Sequence, residues 1–164
     1  MKQAFKIRTS LESDNESLRE IVDLSFPMFF RFFARHSLSS EGSVLVSEID
    51  VKVVGFAKLI EFSVGIRRCG CILWLAVHPD FRGRRIALGL VEAGANNLFN
   101  HSSEMIFALT QRRNYGSLAT FEKAGFRQTA LQGLWRLFGL RILDLCRDIW
   151  YAPGEIVLMN DHAK

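Results

Sequence analysis

The sequence predicts a mixed α/β fold in one domain, on three observations. Strand-like and helix-like patterns alternate along the chain, in the order β, α, α, a β-rich region, α, β, α, β and a last β. The run Cys69 to Val77 is nearly all apolar, as befits a strand buried on both faces at the centre of a sheet. The chain has 164 residues, 49% apolar and 23% charged. That balance suits one globular domain spanning 1–164, able to bury about two-thirds of its unfolded surface.

Each element has its own signal. Phe5, Ile7 and Thr9 alternate with polar residues and read as a first strand. Ser10 to Asn15 offers N-cap side chains ahead of Leu18, Ile21, Val22 and Leu24 at helical spacing. Pro27 fits the first position of a second helix, rich in phenylalanine from Phe26 to Phe33. Val44 to Ile49 and Val53 to Glu61 are strands about the tight turn Asp50-Val51-Lys52, and Phe62 to Arg68 connects to Cys69–Val77. Ile86 to Asn100 is a helix, Met105 to Leu109 a strand, Tyr115 to Lys123 a helix and Phe126 to Ala130 a strand. Gly125 suits the left-handed residue that ends the 115–123 helix. Leu131, Trp135, Phe138, Ile142, Leu145 and Ile149 form a helical stripe weakened by Gly133 and Gly139, and Glu155 to Met159 is the last strand.

Composition excludes several function classes. No run of 18 uncharged apolar residues exists, so no membrane span is expected. The first residues lack a signal-peptide core, and a cytoplasmic location is expected. Three cysteines, Cys69, Cys71 and Cys146, fit neither a disulfide framework nor a zinc or redox spacing; they read as small buried hydrophobes, and no metal is expected. The net charge of +4 suits an anionic partner. Its densest cluster, Arg82, Arg84 and Arg85, has the size of a phosphate site on a small cofactor rather than a nucleic-acid track.

The segment that carries chemistry is a buried strand, then His78-Pro79-Asp80-Phe81-Arg82-Gly83-Arg84-Arg85-Ile86-Ala87, then a helix. The first turn of a helix presents unpaired N–H groups at a positive dipole end, which binds phosphate oxygens directly. Gly83 and Ala87 keep the approach to the main chain open. A basic, solvated turn is the plain alternative. Thirty residues after Arg84, Asn114 is a good N-cap for a helix that closes with Phe121-Glu122-Lys123-Ala124-Gly125-Phe126.

Together these two segments resemble motifs A and B of the GNAT superfamily of acyl-CoA-dependent N-acyltransferases. Leu75-Ala76-Val77-His78-Pro79-Asp80-Phe81-Arg82-Gly83-Arg84 is similar to L-x-V-x-P-x-[YF]-R-G-[KR], and Asn114 with Phe121–Phe126 to N…Y-E-K-x-G-F. The resemblance implies an α/β (α+β) fold with a mixed, mostly antiparallel sheet of six to seven strands flanked by helices and splayed after Val77. It implies acetyl-CoA as co-substrate. The main chain of Leu75, Ala76 and Val77 would pair with the pantetheine arm, and the amides of Arg82, Gly83, Arg84, Arg85, Ile86 and Ala87 would wrap the pyrophosphate. Asn114 and Ser117 would hydrogen-bond the cofactor, and Phe121 would pack near the thioester. The implied function is transfer of an acetyl group to a primary amine of a small molecule or peptide. The alternative is an acyl-CoA-binding regulatory module without catalysis, and a homodimer is an allowed state.

Two departures from the family pattern bear on mechanism. Arg85 stands where the family loop has its central glycine, at a cost if that residue needs a positive φ. Phe121 stands where many members have a proton-donating tyrosine. The central strand offers no carboxylate as a base; the nearest candidate is Glu61 at the end of the neighbouring strand, and Tyr151 is the candidate acid by a fainter resemblance to the ribosomal-protein and N-terminal acetyltransferases. An oxyanion would be met by a main-chain N–H near Val77. His78 is expected to be structural, and His36 and His101 have no evident partner in the sequence.

Overall fold

The computed structural model describes residues 4–161. Its strands are β1 (Lys6–Thr9), β2 (Ser43–Ile49), β3 (Lys52–Val64), β4 (Arg67–Val77), β5 (Met105–Gln111), β6 (Arg127–Thr129) and β7 (Glu155–Asn160). They form one seven-stranded sheet in the order β1-β2-β3-β4-β5-β7-β6. β1 with β2, β2 with β3, β5 with β7 and β6 with β7 pair antiparallel, and β4 with β5 pairs parallel. The helices are α1 (Asn15–Ser25), α2 (Met28–Leu38), α3 (Ile86–Asn100), α4 (Tyr115–Lys123), α5 (Leu131–Phe138) and α6 (Ile142–Asp148).

Contacts divide the chain into two compact units, the first running to Leu59 and including Trp74–Gly94, the second comprising Ile60–Leu73 and the chain from Ala95 onward. In the first, Leu18, Ile21 and Val22 of α1 and Ala34 of α2 pack on Val44, Val46, Val53, Phe56 and Ala76. Arg8 of β1 holds Asp14 at 2.7 Å and Glu48 at 2.8 Å, and Asp14 also accepts the Leu11 N–H. The Arg8 guanidinium keeps the Asp14 carboxyl below its ordinary range. Gly89 lets α3 approach closely, because a Cβ there would lie 2.7 Å from Cε2 of Phe5. Lys58, in the middle of β3, is fully buried; its Nζ donates to the Ser40 carbonyl at 2.9 Å, and burial lowers its pKa.

In the second unit, Cys69, Cys71, Met105, Phe107, Val157 and Met159 of the sheet meet Leu134, Phe138, Ile142, Leu145 and Ile149. Cys69 and Cys71 are buried free thiols and Cys146 is half-buried, as expected of small hydrophobes. Burial pushes the Cys69 thiol up to about 11.

Several expectations shift. Phe62 to Arg68 is not a connection: β3 continues to Val64 and β4 starts at Arg67, so only Gly65 and Ile66 turn the chain, with Gly65 at φ 64°. Pro27 sits just outside α2, as its N-cap, rather than at the first helical position. The stripe after 130 is two helices joined by a 3-10 turn, Gly139–Arg141, because Gly139 turns left-handed at φ 55°. Leu134 takes the buried place expected of Leu131 and Trp135, which are exposed.

Candidate cofactor and active site

Parallel pairing runs from Cys69↔Met105 to Ile72↔Ala108, after which β4 continues to Val77. Leu73, Trp74 and Leu75, just past the last pair, are only half-buried, which departs from a strand buried throughout. An extended main chain beyond its ladder is the feature a ligand needs to add itself as a strand. His78 ends the strand. Its N–H donates to the Val54 carbonyl at 2.8 Å and its Nδ1 accepts from the Asp80 N–H at 3.3 Å, capping the short 3-10 turn Pro79–Phe81. His78 is therefore structural as expected, and its amide is already used, so it is not a free oxyanion donor.

The turn that follows is exposed from Arg82 to Arg85, with Ile86 buried beneath it. Gly83 has φ 77° and Arg85 φ 64°. Arg85 thus occupies the left-handed region where the family has glycine, at a cost of roughly 1 kcal/mol. The amides of Ile86, Ala87 and Leu88 precede the bond from Gly89 N–H to the Arg85 carbonyl, so they lie in the first turn of α3, where a helix has no acceptor for them. Two of the three arginines are tied to the protein. Arg82 Nε donates to the Val77 carbonyl at 3.1 Å, fixing the turn to its strand, and Arg84 stacks 5.1 Å from the Phe81 ring centroid. A positive φ at two residues just before a helix start makes a concave set of main-chain donors suited to an anion.

In the second unit, Asn114 Oδ1 accepts from the Ser117 N–H at 3.1 Å, capping α4. Its Nδ2 makes no hydrogen bond among the described residues. Ser117 is half-buried, and Phe121 is 2% exposed, edge to face with Phe126 at 5.1 Å. Gly125, at φ 87°, closes the helix as its sequence position requires.

The two catalytic candidates sit differently. Glu61 lies within β3, not at its end, and His101 Nδ1 meets its carboxylate at 3.0 Å. That supplies the partner that the sequence leaves unnamed for His101; the two are forty residues apart with no local pattern to link them. The pair stands at the start of β5, whose Met105 pairs with Cys69 near the start of β4. Tyr151 is half-buried against the second unit's core, its N–H bonded to the Cys146 carbonyl at 2.9 Å.

On α2 the phenylalanines are not core. Phe29 and Phe32 are 70% and 71% exposed, with Phe33 touching both as an edge-to-face neighbour. Trp74 is a residue that sequence reasoning missed. Phe26 and Phe30 close on it at 5.2 and 6.3 Å, and its buried indole N–H has no hydrogen-bond partner among the described residues.

A helix start whose first-turn amides have no partner within the helix follows a strand that outruns its parallel ladder. Residues 7–126 match the model of the acetyltransferase (GNAT) family, and the chain belongs to that family. Its fold is similar to that of a GNAT-family protein from Desulfovibrio desulfuricans (16% identity, TM-score 0.73, covering 96% of this chain and 99% of that one). It is similar also to PaiA N-acetyltransferase from Thermoplasma acidophilum in complex with coenzyme A (13%, TM-score 0.71, 97% and 99%). A third is the ribosomal-protein-S18-alanine N-acetyltransferase from Escherichia coli (14%, TM-score 0.68, 95% and 92%). No curated protein matches the sequence.

Proposed function

We propose that the protein moves an acetyl group from acetyl-CoA to a primary amine of a small molecule or peptide. The observation that carries this reading is the turn 82–87, with two left-handed residues at the head of α3. In this reading its amides hold the pyrophosphate, and Arg82 fixes the turn's attachment to the strand. The main chain of Leu75, Ala76 and Val77 pairs with the pantetheine arm. Asn114 donates from Nδ2, since its Oδ1 caps the helix, and Ser117 offers its hydroxyl. Phe121 packs the α4 face from within. The exposed phenylalanines of α2 favour an acceptor with an apolar part.

Rate in this reading comes mainly from positioning amine and thioester together, an effect that reaches ~7–11 kcal/mol. Phe121 has no proton to give, and Glu61 is engaged with His101. A coenzyme thiolate, with a pKa near ~8.5, leaves without full protonation, and the amine proton departs through water. Tyr151→Phe and Glu61→Gln are each expected to lower kcat by less than the ~10²–10⁴-fold of a committed acid or base. Profiles of kcat against pH on one confirmed acceptor check this; an inactive variant that still binds acetyl-CoA would identify the catalyst.

The cofactor half is tested by thermal unfolding. A ligand at about a hundred times its Kd stabilises by ~2.7 kcal/mol, so millimolar acetyl-CoA should raise the melting temperature by several degrees. No shift would overturn the reading. Binding without transfer to any amine in a mass-spectrometric acceptor screen would favour a regulatory acyl-CoA module.

A further inference from the structure

We propose that His78 is a positioning residue for the cofactor turn, holding it in a receptive shape only while the imidazole is neutral. The proposal rests on the acyl-CoA reading above. The ring is 6% exposed and stands where β4 gives way to the turn. Three hydrogen bonds build the turn on this residue. Its N–H donates to the Val54 carbonyl, its carbonyl accepts from the Phe81 N–H at 2.9 Å, and Nδ1 accepts from the Asp80 N–H at 3.3 Å. An imidazole nitrogen that accepts carries no proton, so the neutral ring keeps its proton on Nε2. The ring also meets Phe81 edge to face at 5.7 Å, and the Arg84 guanidinium lies over that same phenyl ring. The setting of the imidazole thus passes to the residues that lead into α3.

Asp80 presents two opposite groups to one ring nitrogen. Its N–H donates to Nδ1, and its carboxylate Oδ2 stands 3.8 Å from the same atom. On the other side of the ring, Glu20 of α1 places Oε1 3.8 Å from Nε2. Protonation puts a hydrogen on Nδ1 and ends its capacity to accept. The Asp80 N–H is then released, and the Asp80 carboxylate becomes the partner. The two carboxylates favour the imidazolium, whereas burial and the lost cap oppose it. The nearby cations act less directly. Lys52 and Arg84 lie over the Phe81 ring at 5.6 and 5.1 Å, and Arg82 Nε is spent on the Val77 carbonyl. β3 offers the residue only the Val54 carbonyl. Without its cap the 3-10 turn Pro79–Phe81 no longer fixes Gly83 to Arg85, and acetyl-CoA binding weakens as the ring takes up a proton.

The test is isothermal titration of the full chain with acetyl-CoA at about pH 8 and about pH 5.5, a span over which histidine side chains change charge. His78→Asn is the control, because asparagine offers Oδ1 to the Asp80 N–H and does not titrate. Between the two pH values the parent should lose about fivefold more affinity than His78→Asn, the effect of losing one cap. Titration of the coenzyme itself is common to both proteins and cancels. Asp80→Asn keeps the N–H and removes the carboxylate, so it should shrink the acid loss; this variant carries the test if His78→Asn does not fold. A second measurement needs no cofactor. In NMR spectra of the free protein, the Asp80 amide signal should move with pH in step with the His78 ring, and Asp80→Asn should shift that midpoint to lower pH. Equal acid loss in the parent and His78→Asn, or in the parent and Asp80→Asn, would overturn the proposal. So would an Asp80 amide that does not follow the ring. No acetyl-CoA binding at either pH would overturn the acyl-CoA reading instead, and the Asp80 amide would still decide whether the ring sets the turn.

Discussion

The turns after β4 and β5 begin alike, each leading from a parallel-paired strand into a helix, and then diverge. The first spends few of its own donors. Its residues Arg82 to Arg85 are exposed, two sit left-handed, and the first-turn amides of α3 have no acceptor within the helix. The second closes on itself, because Asn114 Oδ1 takes the Ser117 N–H. Under the proposed function, the first turn receives an anion with its main chain. The other is a stable helix start with a side-chain amide to spare. On that proposal, an anion site is marked by which donors remain unspent, more than by how many arginines surround it.

The comparison breaks most sharply at Gly83. Valine there must adopt φ near 77°, a conformation costing roughly 1–2 kcal/mol for an L-residue. Gly83→Val should weaken acetyl-CoA binding at least about tenfold by isothermal titration, where 1.4 kcal/mol is a factor of ten. Nothing lies within 4 Å of a Cβ at that position, so the loss would come from backbone conformation and not from crowding. In the second turn, Asn114→Ala should lower stability by ~1 kcal/mol through loss of the cap, while Asn114→Ser keeps most of it. If both lose acetyl-CoA affinity equally, the side-chain amide is a ligand as well as a cap. Arg85→Gly should relieve backbone strain and raise the unfolding free energy measured in urea by up to about 1 kcal/mol. Arg84→Ala should have the smallest effect, about threefold in affinity and fading at high salt. A larger loss from Arg84→Ala than from Gly83→Val would mean that side-chain charge dominates the turn.

Local patterns carried most of the fold. The apolar run into Val77, the cap at Asn114 and the left-handed Gly125 are signals contained within a few residues, and each stands where expected. The left-handed Arg85 was legible only as a conditional, through a motif in which that place is glycine. Long-range pairs were not legible. Glu61 and His101 meet across forty residues, and their contact depends on strand order. The sequence left the α2 phenylalanines open between a pocket wall and core, because composition records hydrophobicity and not direction; Phe29 and Phe32 are exposed. Lys58 in an apolar strand gave no warning that its ammonium would reach the Ser40 carbonyl. The end of β3 was placed at Glu61, three residues short, although Val64 is buried within the strand.

A buried Lys58 makes folding a proton-exchange reaction in alkaline solution. Its pKa is lowered in the native state from an ordinary 10.5, so just below that value the unfolded chain holds a proton that the native chain gives up more readily. Stability contributed by this group rises with pH through that window. Cys69 works in the opposite sense. Its thiol ordinarily titrates at 9.0 and is pushed up to about 11, so over that interval the native chain keeps a proton that the unfolded chain loses, and stability falls. Lys58→Met should remove the first contribution and leave the second, steepening the alkaline loss in a urea series against pH. In the Lys58→Met variant, where the Cys69 contribution is no longer opposed by Lys58, the calorimetric heat of unfolding near pH 10 will differ between buffers of different ionisation enthalpy, because each unfolding event passes a proton to the solvent.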